Sequence, residues 1–216
     1  MSPPPAKPAT PPVPRTRHAP KGEKRREQLL AIALEVFSRE GYGSASIATI
    51  AELAGISVAG LLHHFPSKVA LLMGVLTHRD GRHRLLEDPF IEAPTLRNFL
   101  GFLQQLNRAN AETVGVIRAF SILNAESLVD SHPAWEWFQT RYSTIHERMR
   151  GRLEQLVANG QVRPDADLNA VIHQLLAMMD GLQLQWLRFP EQVDLVARFD
   201  SYIAQVERDL RPTQAL

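Results

Sequence analysis

The sequence of 216 residues contains no cysteine. A disulfide framework, a thiol nucleophile, an iron–sulfur cluster and a zinc site built on thiolates are therefore excluded. No uninterrupted apolar run approaches the roughly 18–20 residues that a membrane-spanning helix needs. The first 20 residues also lack the apolar segment of a secretory signal. We therefore expect a soluble, cytoplasmic protein, and its 44% hydrophobic residues are enough to build a core.

The motifs of common enzymes are missing as well. The sequence has no phosphate-binding loop, no dinucleotide glycine fingerprint and no Glu-x-x-His pair of the kind found in helical di-iron sites. Residues 55–59 lack the last glycine of a nucleophile elbow, and His146-Glu147 lacks the second histidine of a helical zinc protease. The sequence thus predicts no catalytic residue, no metal and no cofactor. An unrecognised helical enzyme is the remote alternative.

Charge is almost balanced over the whole chain, with a net value of +1, but it is unevenly distributed. Residues 1–68 carry 9 Lys+Arg and 5 Asp+Glu, whereas residues 69–216 carry 15 and 18. A basic N-terminal part joined to a mildly acidic remainder is typical of a protein whose front contacts a polyanion. A difference of a few charges also arises by chance, so this pattern alone does not define a partner.

No segment alternates β-branched and polar residues between turn signals, so the sequence predicts an all-α fold without a sheet. Eight of the 15 prolines lie in the first 20 residues, and this tail is expected to be disordered. The apolar spacing of Leu29, Ala33, Val36 and Phe37 predicts a first helix over residues 24–40. Capping residues, glycines and prolines place further helices at 47–54, 57–64, 68–86, 95–110, 113–130, 134–158, 167–188 and 191–210.

Residues 46–65 have the pattern of a helix-turn-helix, in which two short helices cross steeply through a turn of three or four residues. Ala51 is small enough for the second helix to cross over it, Gly55 permits the strained turn, and Ile56 anchors the turn in the core. Ser57 opens the second helix, whose free N–H groups suit a phosphate. The residues expected beneath the two helices are Ile47, Ile50, Leu61 and Phe65. An ordinary helical hairpin is the alternative.

A longer set of residues has a specific order and spacing. It comprises Phe37, Gly41, Tyr42, Ser46, Ile50, Ala51, Ala54, Gly55, Ile56, Ser57, Leu61, His64, Phe65, Ser67, Lys68, Leu71 and Leu72. On these residues the segment 24–72 resembles the amino-terminal DNA-binding domain of the tetracycline-repressor (TetR) family of bacterial transcriptional regulators. The segments 132–142 and 180–187 are similar to pieces seen in many members. The resemblance implies a helix-turn-helix domain over residues 21–66 and a helical ligand-binding and dimerisation domain over residues 67–216.

The resemblance and the chemistry of the side chains together predict a DNA-binding surface. Basic residues before the first helix turn and at the start of the fourth helix are expected to contact phosphates, while polar groups of the recognition helix read bases. The predicted DNA-binding residues are Lys24, Arg25, Arg26, Ser46, Ser57, Val58, Gly60, His63, His64, Ser67 and Lys68. Members often have Lys, Gly, Thr and Tyr where this chain has Val58, Ala59, Gly60 and Leu62. The polar contacts to bases are therefore expected to be fewer, with Val58 or Gly60 approaching a thymine methyl.

The last two predicted helices carry apolar residues at alternating spacings of three and four, which is typical of paired helices. The predicted dimer interface comprises Leu168, Ile172, Leu175, Met179, Leu182, Val196, Phe199, Ile203 and Val206. The alternative is that these residues form the core of a single chain. A dimer would place two reading helices about 34 Å apart on a palindrome.

A ligand cavity is expected among the helices at 95–110, 113–130, 134–158 and 167–188. Aromatic and methionine side chains with a few polar groups suit an apolar or amphipathic ligand. The candidate lining comprises Phe102, Phe120, Asn124, Trp135, Phe138, Tyr142, His173, Met178 and Trp186. Stripes of such residues are more often simply core, and His173 is more readily explained as a buried structural histidine than as a ligand contact.

Taken together, the sequence predicts a ligand-responsive transcriptional regulator with three partners: double-stranded operator DNA, a second copy of itself and a small effector. The main interpretation is a dimeric repressor released from its palindrome when the effector shifts the fourth helix, predicted at 68–86. The alternatives are an activator and a helical small-molecule sensor with weak DNA binding.

Overall fold

The structure is a computed structural model that describes residues 21–83 and 88–212, so the proline-rich tail predicted to be disordered lies outside the described residues. In those two ranges the chain forms ten α-helices and no strand, which confirms the all-α prediction. The helices are α1 (Lys21–Ser44), α2 (Ile47–Leu53), α3 (Val58–His64), α4 (Lys68–His83), α5 (Pro89–Glu92), α6 (Leu96–Ala111), α7 (Val114–Glu126), α8 (Trp135–Ala158), α9 (Leu168–Arg188) and α10 (Leu195–Leu210).

Short polar side chains fix the starts of several helices. The Oδ1 of Asp167 accepts a hydrogen bond from the Ala170 N–H at 3.0 Å at the start of α9, and Asp194 caps α10 in the same way. Near the end of α1, Gly41 leaves the helical conformation with φ 74° and ψ 171°. This region of the backbone map is practically restricted to glycine, so the chain turns there towards α2.

Buried apolar residues of α1–α4 form a first core, which continues into α7 and α8. We call residues 21–76 the head. Its core includes Leu71, Leu72, Val75 and Leu76 of α4, so the domain boundary predicted at residue 66 would divide a continuous core. The body side contributes Phe120, Leu123, Ala134 and Phe138 to the same cluster, and α1 packs along α7. Head and body are therefore joined by shared packing as well as by the chain.

The body, residues 88–212, has a second core built by α5, α6 and α8–α10. Here the predicted dimer interface requires a correction. Six of its residues are buried inside this chain's own core: Ile172, Leu175, Leu182, Phe199, Ile203 and Val206. Of the remaining three, Leu168 and Met179 pack against that core and Val196 is half-buried. The prediction was wrong for the six buried residues, because the apolar side of α10 packs against α6 and α9 of the same chain.

No single helix in residues 21–83 and 88–212 is both long and apolar enough to cross a membrane. Together α2 and α3 have the length and composition of a span, but their axes are bent by 98°.

Candidate DNA-binding surface and ligand cavity

The second and third helices form the predicted helix-turn-helix. The axes of α2 and α3 differ by 98°, which lies within the usual range for this motif. In the turn, Gly55 has φ 65°, and the backbone N–H of Ile56 donates to the Ala51 carbonyl at 3.0 Å. Ser57 accepts from the Gly60 N–H at 3.0 Å and so begins α3. These local contacts explain why the sequence pattern was sufficient to locate the motif.

One face of α3 is open. Val58, Ala59, Leu62 and His63 are exposed, whereas Leu61 points into the head core. Val58 and Leu62 are 42% and 37% exposed. The available face of the predicted recognition helix is therefore mainly apolar, with His63 as its exposed imidazole.

Three of the predicted phosphate-contacting residues make bonds within the head. The Arg25 guanidinium donates to the Ala54 carbonyl at 2.8 Å, and the Arg26 guanidinium donates to the His64 carbonyl at 3.1 Å. The Lys68 ammonium donates to the Gly43 carbonyl at 3.1 Å. Each of these cations binds a backbone carbonyl next to a turn or a helix end. Their charges stay near the surface, but their hydrogen bonds also stabilise the helix-turn-helix.

Lys24 differs from those three, because it is exposed and has no hydrogen bond or ion pair within the described residues. The predicted serines are exposed and serve as caps, with Ser46 accepting from the Ala48 N–H at 3.1 Å and Ser67 from the Ala70 N–H at 3.0 Å. Gly60 and His64 are half-buried, which leaves them less accessible than Val58 and His63.

A cavity of about 1040 Å³ lies in the body and reaches the end of α4. Three of the predicted lining residues are found there: Phe102, Phe120 and Tyr142. Its other apolar and aromatic walls include Met73, Phe99, Leu103, Leu106, Trp137, Ile145, Met149, Leu176 and Met179. The lining of this cavity overlaps the predicted set only at these three residues.

Six predicted lining residues lie elsewhere. Phe138 is buried in the first core, which the head and the body share. Trp135 is half-buried at the start of α8, and Met178 and Trp186 pack against the second core. Asn124 does not line the cavity, but its amide donates a hydrogen bond to the hydroxyl of the lining residue Tyr142 at 3.0 Å. The prediction of a buried His173 was wrong, because this residue is exposed in a groove between α8 and α9. Its ring centroid lies 5.1 Å from that of His146.

Sequence reasoning missed a polar network at the end of the cavity next to α4. Asp80 Oδ1 accepts from Arg141 Nε at 3.0 Å and from Arg79 Nη1 at 3.4 Å. In the same cavity, the Tyr142 hydroxyl donates to Asp180 Oδ2 at 2.7 Å. The adjacent charged residues 79 and 80, which follow the apolar first turns of α4, were the available signal. Their partners on α8 and α9 are far away in the sequence.

Burial shifts the pKa of two groups in this network. Burial, together with the nearby Arg141 cation, lowers the pKa of Arg79 to about 10. Burial, together with the Asp180 carboxylate, raises the pKa of Tyr142 to about 12. The Tyr142 hydroxyl is therefore protonated at neutral pH and acts as a hydrogen-bond donor to Asp180. Within residues 21–83 and 88–212, no three His, Asp or Glu side chains are grouped so that they could hold a metal ion.

The bent pair α2–α3, its open reading face and the helical body with a cavity together define a helix-turn-helix transcriptional regulator. Comparisons with known proteins give the family. Residues 29–75 match the sequence model described as "Bacterial regulatory proteins, tetR family". Residues 124–208 match "BetI-type transcriptional repressor, C-terminal". The chain belongs to the TetR family. It is a DNA-binding regulator and not an enzyme.

The chain is also similar to individual proteins, and its likeness to a solved structure concerns the fold. The chain is 49% identical over 65 residues to the HTH-type transcriptional regulator LuxR of Vibrio harveyi, a match that covers 30% of this chain and 31% of that protein. It is 27% identical to the nucleoid occlusion factor SlmA of Vibrio cholerae over 87% of this chain and 96% of that protein. Among solved structures, NalD, the secondary repressor of a multidrug efflux pump in Pseudomonas aeruginosa, is 19% identical, with a TM-score of 0.70, over 91% of this chain and 100% of that one.

Proposed function

We propose that this protein is a dimeric repressor that binds a palindromic operator through α3 and is released when a small amphipathic molecule occupies the body cavity. The observation that carries the proposal is the position of α4. Its first turns belong to the head core, and Arg79 and Asp80 near its other end line the cavity. A change at the cavity can therefore alter the position of the reading helix.

The DNA contact is expected to combine phosphate binding with shape-dependent and apolar base contacts. Lys24 is available for a phosphate, and the start of α3 presents backbone N–H groups to another. Val58 and Leu62 suit thymine methyl groups in the major groove, while His63 supplies a hydrogen bond. Few polar contacts to bases favour an operator that is read partly through its deformability.

The proposed dimer interface is formed by the outer faces of α9 and α10. It replaces the predicted interface, because most of those residues are buried within this chain. On α9, Ala177 and Leu184 are exposed, and on α10 the residues Ala197, Ser201 and Ala204 are exposed. Leu184 is 55% exposed, so this outer face offers a large apolar side chain that a partner could cover. Small side chains on both helices allow close approach of two helix pairs, as in a four-helix bundle.

Release is proposed as a population shift between two arrangements of the heads. The ligand must bind more tightly to the arrangement that does not fit the operator, and this difference in affinity limits the effect. Because α1 packs on α7 and α4 lines the cavity, we expect a displacement of either helix to shift the head.

The test is fluorescence anisotropy of the full chain with labelled DNA from upstream of its own gene, with excess nonspecific DNA, at two salt concentrations. We expect binding that survives the competitor, with two protomers per site and an affinity that falls as salt rises. Binding that disappears with the competitor, or a stoichiometry of one, would overturn the operator or the dimer half of the proposal.

Two variants test direct contacts with DNA, and a third tests a side chain that stabilises the head. Lys24→Ala should weaken binding to all sequences and reduce the salt slope by about 1, without changing stability, because Lys24 makes no bond in the head. His63→Ala should lower the preference for the operator by about 1–3 kcal/mol and leave nonspecific binding nearly unchanged. Arg25→Ala is the control for an indirect effect. It removes the hydrogen bond to the Ala54 carbonyl, so it should lower the stability of the head and the affinity for DNA together.

A further inference from the structure

Two guanidinium groups in the body cavity share a single carboxylate oxygen. Arg79 on α4 and Arg141 on α8 both donate to Asp80 Oδ1, at 3.4 Å and 3.0 Å. Arg79 is only 6% exposed, and its Nε has no hydrogen-bond partner among the described residues. A guanidinium has five N–H donors, and a buried donor without an acceptor is costly. This end of the cavity therefore has more hydrogen-bond donors than acceptors.

The two guanidinium groups are held in place by an aromatic ring. The Cζ atoms of Arg79 and Arg141 lie 3.8 Å and 4.8 Å from the centroid of the Phe120 ring. Stacking of this kind fixes the plane of each guanidinium before any ligand arrives. A site whose donors are already oriented loses little entropy when it binds an anion.

The other half-buried carboxylates of the cavity already have partners. Asp180 accepts from the Tyr142 hydroxyl at 2.7 Å, and Asp88 pairs with Arg152. Glu136 lies at the exposed rim. Asp88 is thus neutralised by a cation and Asp180 is bonded to an uncharged hydroxyl. An anion at the other end of the cavity would meet two guanidinium groups that share one carboxylate. Burial and the neighbouring Arg141 cation lower the pKa of Arg79, while Asp80 and Asp180 act in the opposite direction.

We propose that the cavity binds an amphipathic carboxylate, whose anionic group contacts Arg79 and Arg141 and whose apolar body lies along the aromatic walls. This inference rests on the proposed function and specifies the chemical class of its effector. Arg79 and Asp80 belong to α4, so a carboxylate that competes with Asp80 for the two arginines acts directly on the helix that enters the head core.

The test uses N-phenyl-1-naphthylamine, an uncharged dye that fluoresces in apolar cavities, and three competitors with the same alkyl chain: decanoate, decan-1-ol and decylamine. We expect decanoate to displace the dye at a concentration about tenfold lower than decanol, because hydrogen bonds to charged groups add this much affinity or more. Decylamine should be the weakest competitor of the three.

Arg141→Gln is the principal variant, because Arg141 is less buried than Arg79 and its loss is less damaging to folding. The variant should still bind the dye, but decanoate and decanol should become nearly equal competitors. Arg148→Gln is the matched control. It removes the same charge from the same wall two turns along α8, but Arg148 is exposed, so the preference for decanoate should remain.

The outcomes distinguish this inference from the proposed function. If the dye binds and decanoate has no advantage over decanol, or if its advantage survives Arg141→Gln, the carboxylate site is wrong, while release by an uncharged effector still stands. If the dye does not bind and none of the three alkyl compounds raises the midpoint of thermal unfolding, the cavity accepts no such ligand, which overturns both the inference and the ligand-release half of the proposed function. Operator binding is tested separately by anisotropy.

Discussion

The carboxylate of Glu126, the last residue of α7, accepts a hydrogen bond from the backbone N–H of Tyr42 at 2.8 Å. The Tyr42 ring also lies between head and body, with its centroid 5.0 Å from that of His132 and 4.5 Å from the Lys68 ammonium. Glu126 and His132 belong to the body, whereas Tyr42 immediately precedes the helix-turn-helix. The turn before α2 is therefore fixed from two sides, by Glu126 and His132 of the body and by Lys68 at the start of α4.

Glycine is required at residue 41, next to this contact. Its φ of 74° and ψ of 171° strain any other residue, and a Cβ there would overlap the Glu126 carboxylate. We expect Gly41→Ala to lower the free energy of unfolding by about 1–3 kcal/mol in urea denaturation. Glu126→Ala alone should cost about 1 kcal/mol for the lost hydrogen bond.

In the double variant the overlap disappears but the strained φ remains. The combined loss should therefore be smaller than the sum of the two single losses. Gly43→Ala is the control, because a Cβ at Gly43 meets no atom within 4 Å. Strictly additive losses, or an equal cost for Gly43→Ala, would contradict the proposed overlap.

Two glycines of α4 should respond oppositely to alanine. A Cβ at Gly74 would lie 2.9 Å from Phe65 Cε1 and 3.0 Å from Leu30 Cδ2, both in the head core. Overpacking of this kind costs about 1–3 kcal/mol and should exceed the gain in helix propensity. Gly81 has open space around its Cβ position, so Gly81→Ala should stabilise the protein by up to about 1 kcal/mol. Thermal unfolding of the two variants measures the difference, and stabilisation by both would disprove the close packing at Gly74.

Acid should weaken the head–body contact through His132. Burial lowers the pKa of His132 below 6.5, although Glu126 acts in the opposite direction. Its Nδ1 accepts the Ala134 N–H at 3.1 Å, which a protonated ring cannot do. Because the unfolded chain takes up the proton first, this contribution to stability is complete above pH 6.5 and falls as the pH drops towards the lowered value.

The measurement compares thermal unfolding of the wild type and His132→Asn above and below pH 6.5. The asparagine carboxamide can still accept the Ala134 N–H, so the variant should lose less stability on acidification than the wild type. His63→Asn, at an exposed position, should keep the wild-type pH dependence. An unchanged pH dependence in His132→Asn would show that His132 is not the sensitive group.

Tyr142 should titrate near pH 12, two units above an ordinary tyrosine, mainly because it is buried and secondarily because of Asp180. The difference in tyrosinate absorbance between the wild type and Tyr142→Phe isolates this group. Asp180→Asn should lower the midpoint but leave it above 10, since burial remains. The stability that this hydroxyl contributes is complete below pH 10 and is lost as the pH rises towards 12. A midpoint near 10 would mean that the hydroxyl is exposed to water.

The helix-turn-helix was predictable because its determinants are local. The cap at Ser57 and the left-handed Gly55 lie within the motif and act on neighbouring residues. The seam of α9 and α10 shows the limit of such reasoning. A periodicity of three and four identifies which side of a helix is buried, but it does not say whether Ile172 or Phe199 is buried by the same chain or by a second one.

The charged end of the cavity could not be predicted for a different reason. Arg141 and Asp80 are 61 residues apart, and the contact between them depends on how α4 and α8 cross. Such a contact between residues distant in the sequence produces no periodic pattern, so a single sequence does not reveal it. The same holds for Glu126 and Tyr42, which are 84 residues apart.

The core shared by head and body has a consequence for engineering. A chimera that exchanges DNA-binding segments between two regulators treats each segment as a separate module. Here a transplanted segment that ended before α4 would leave behind the packing supplied by Leu71 and Val75, and it would also lose its contacts with Phe120 and Leu123. A functional hybrid therefore needs the inward-facing residues of α7 to be exchanged together with the reading helix, so the unit that confers operator choice extends into the effector-binding half of the chain.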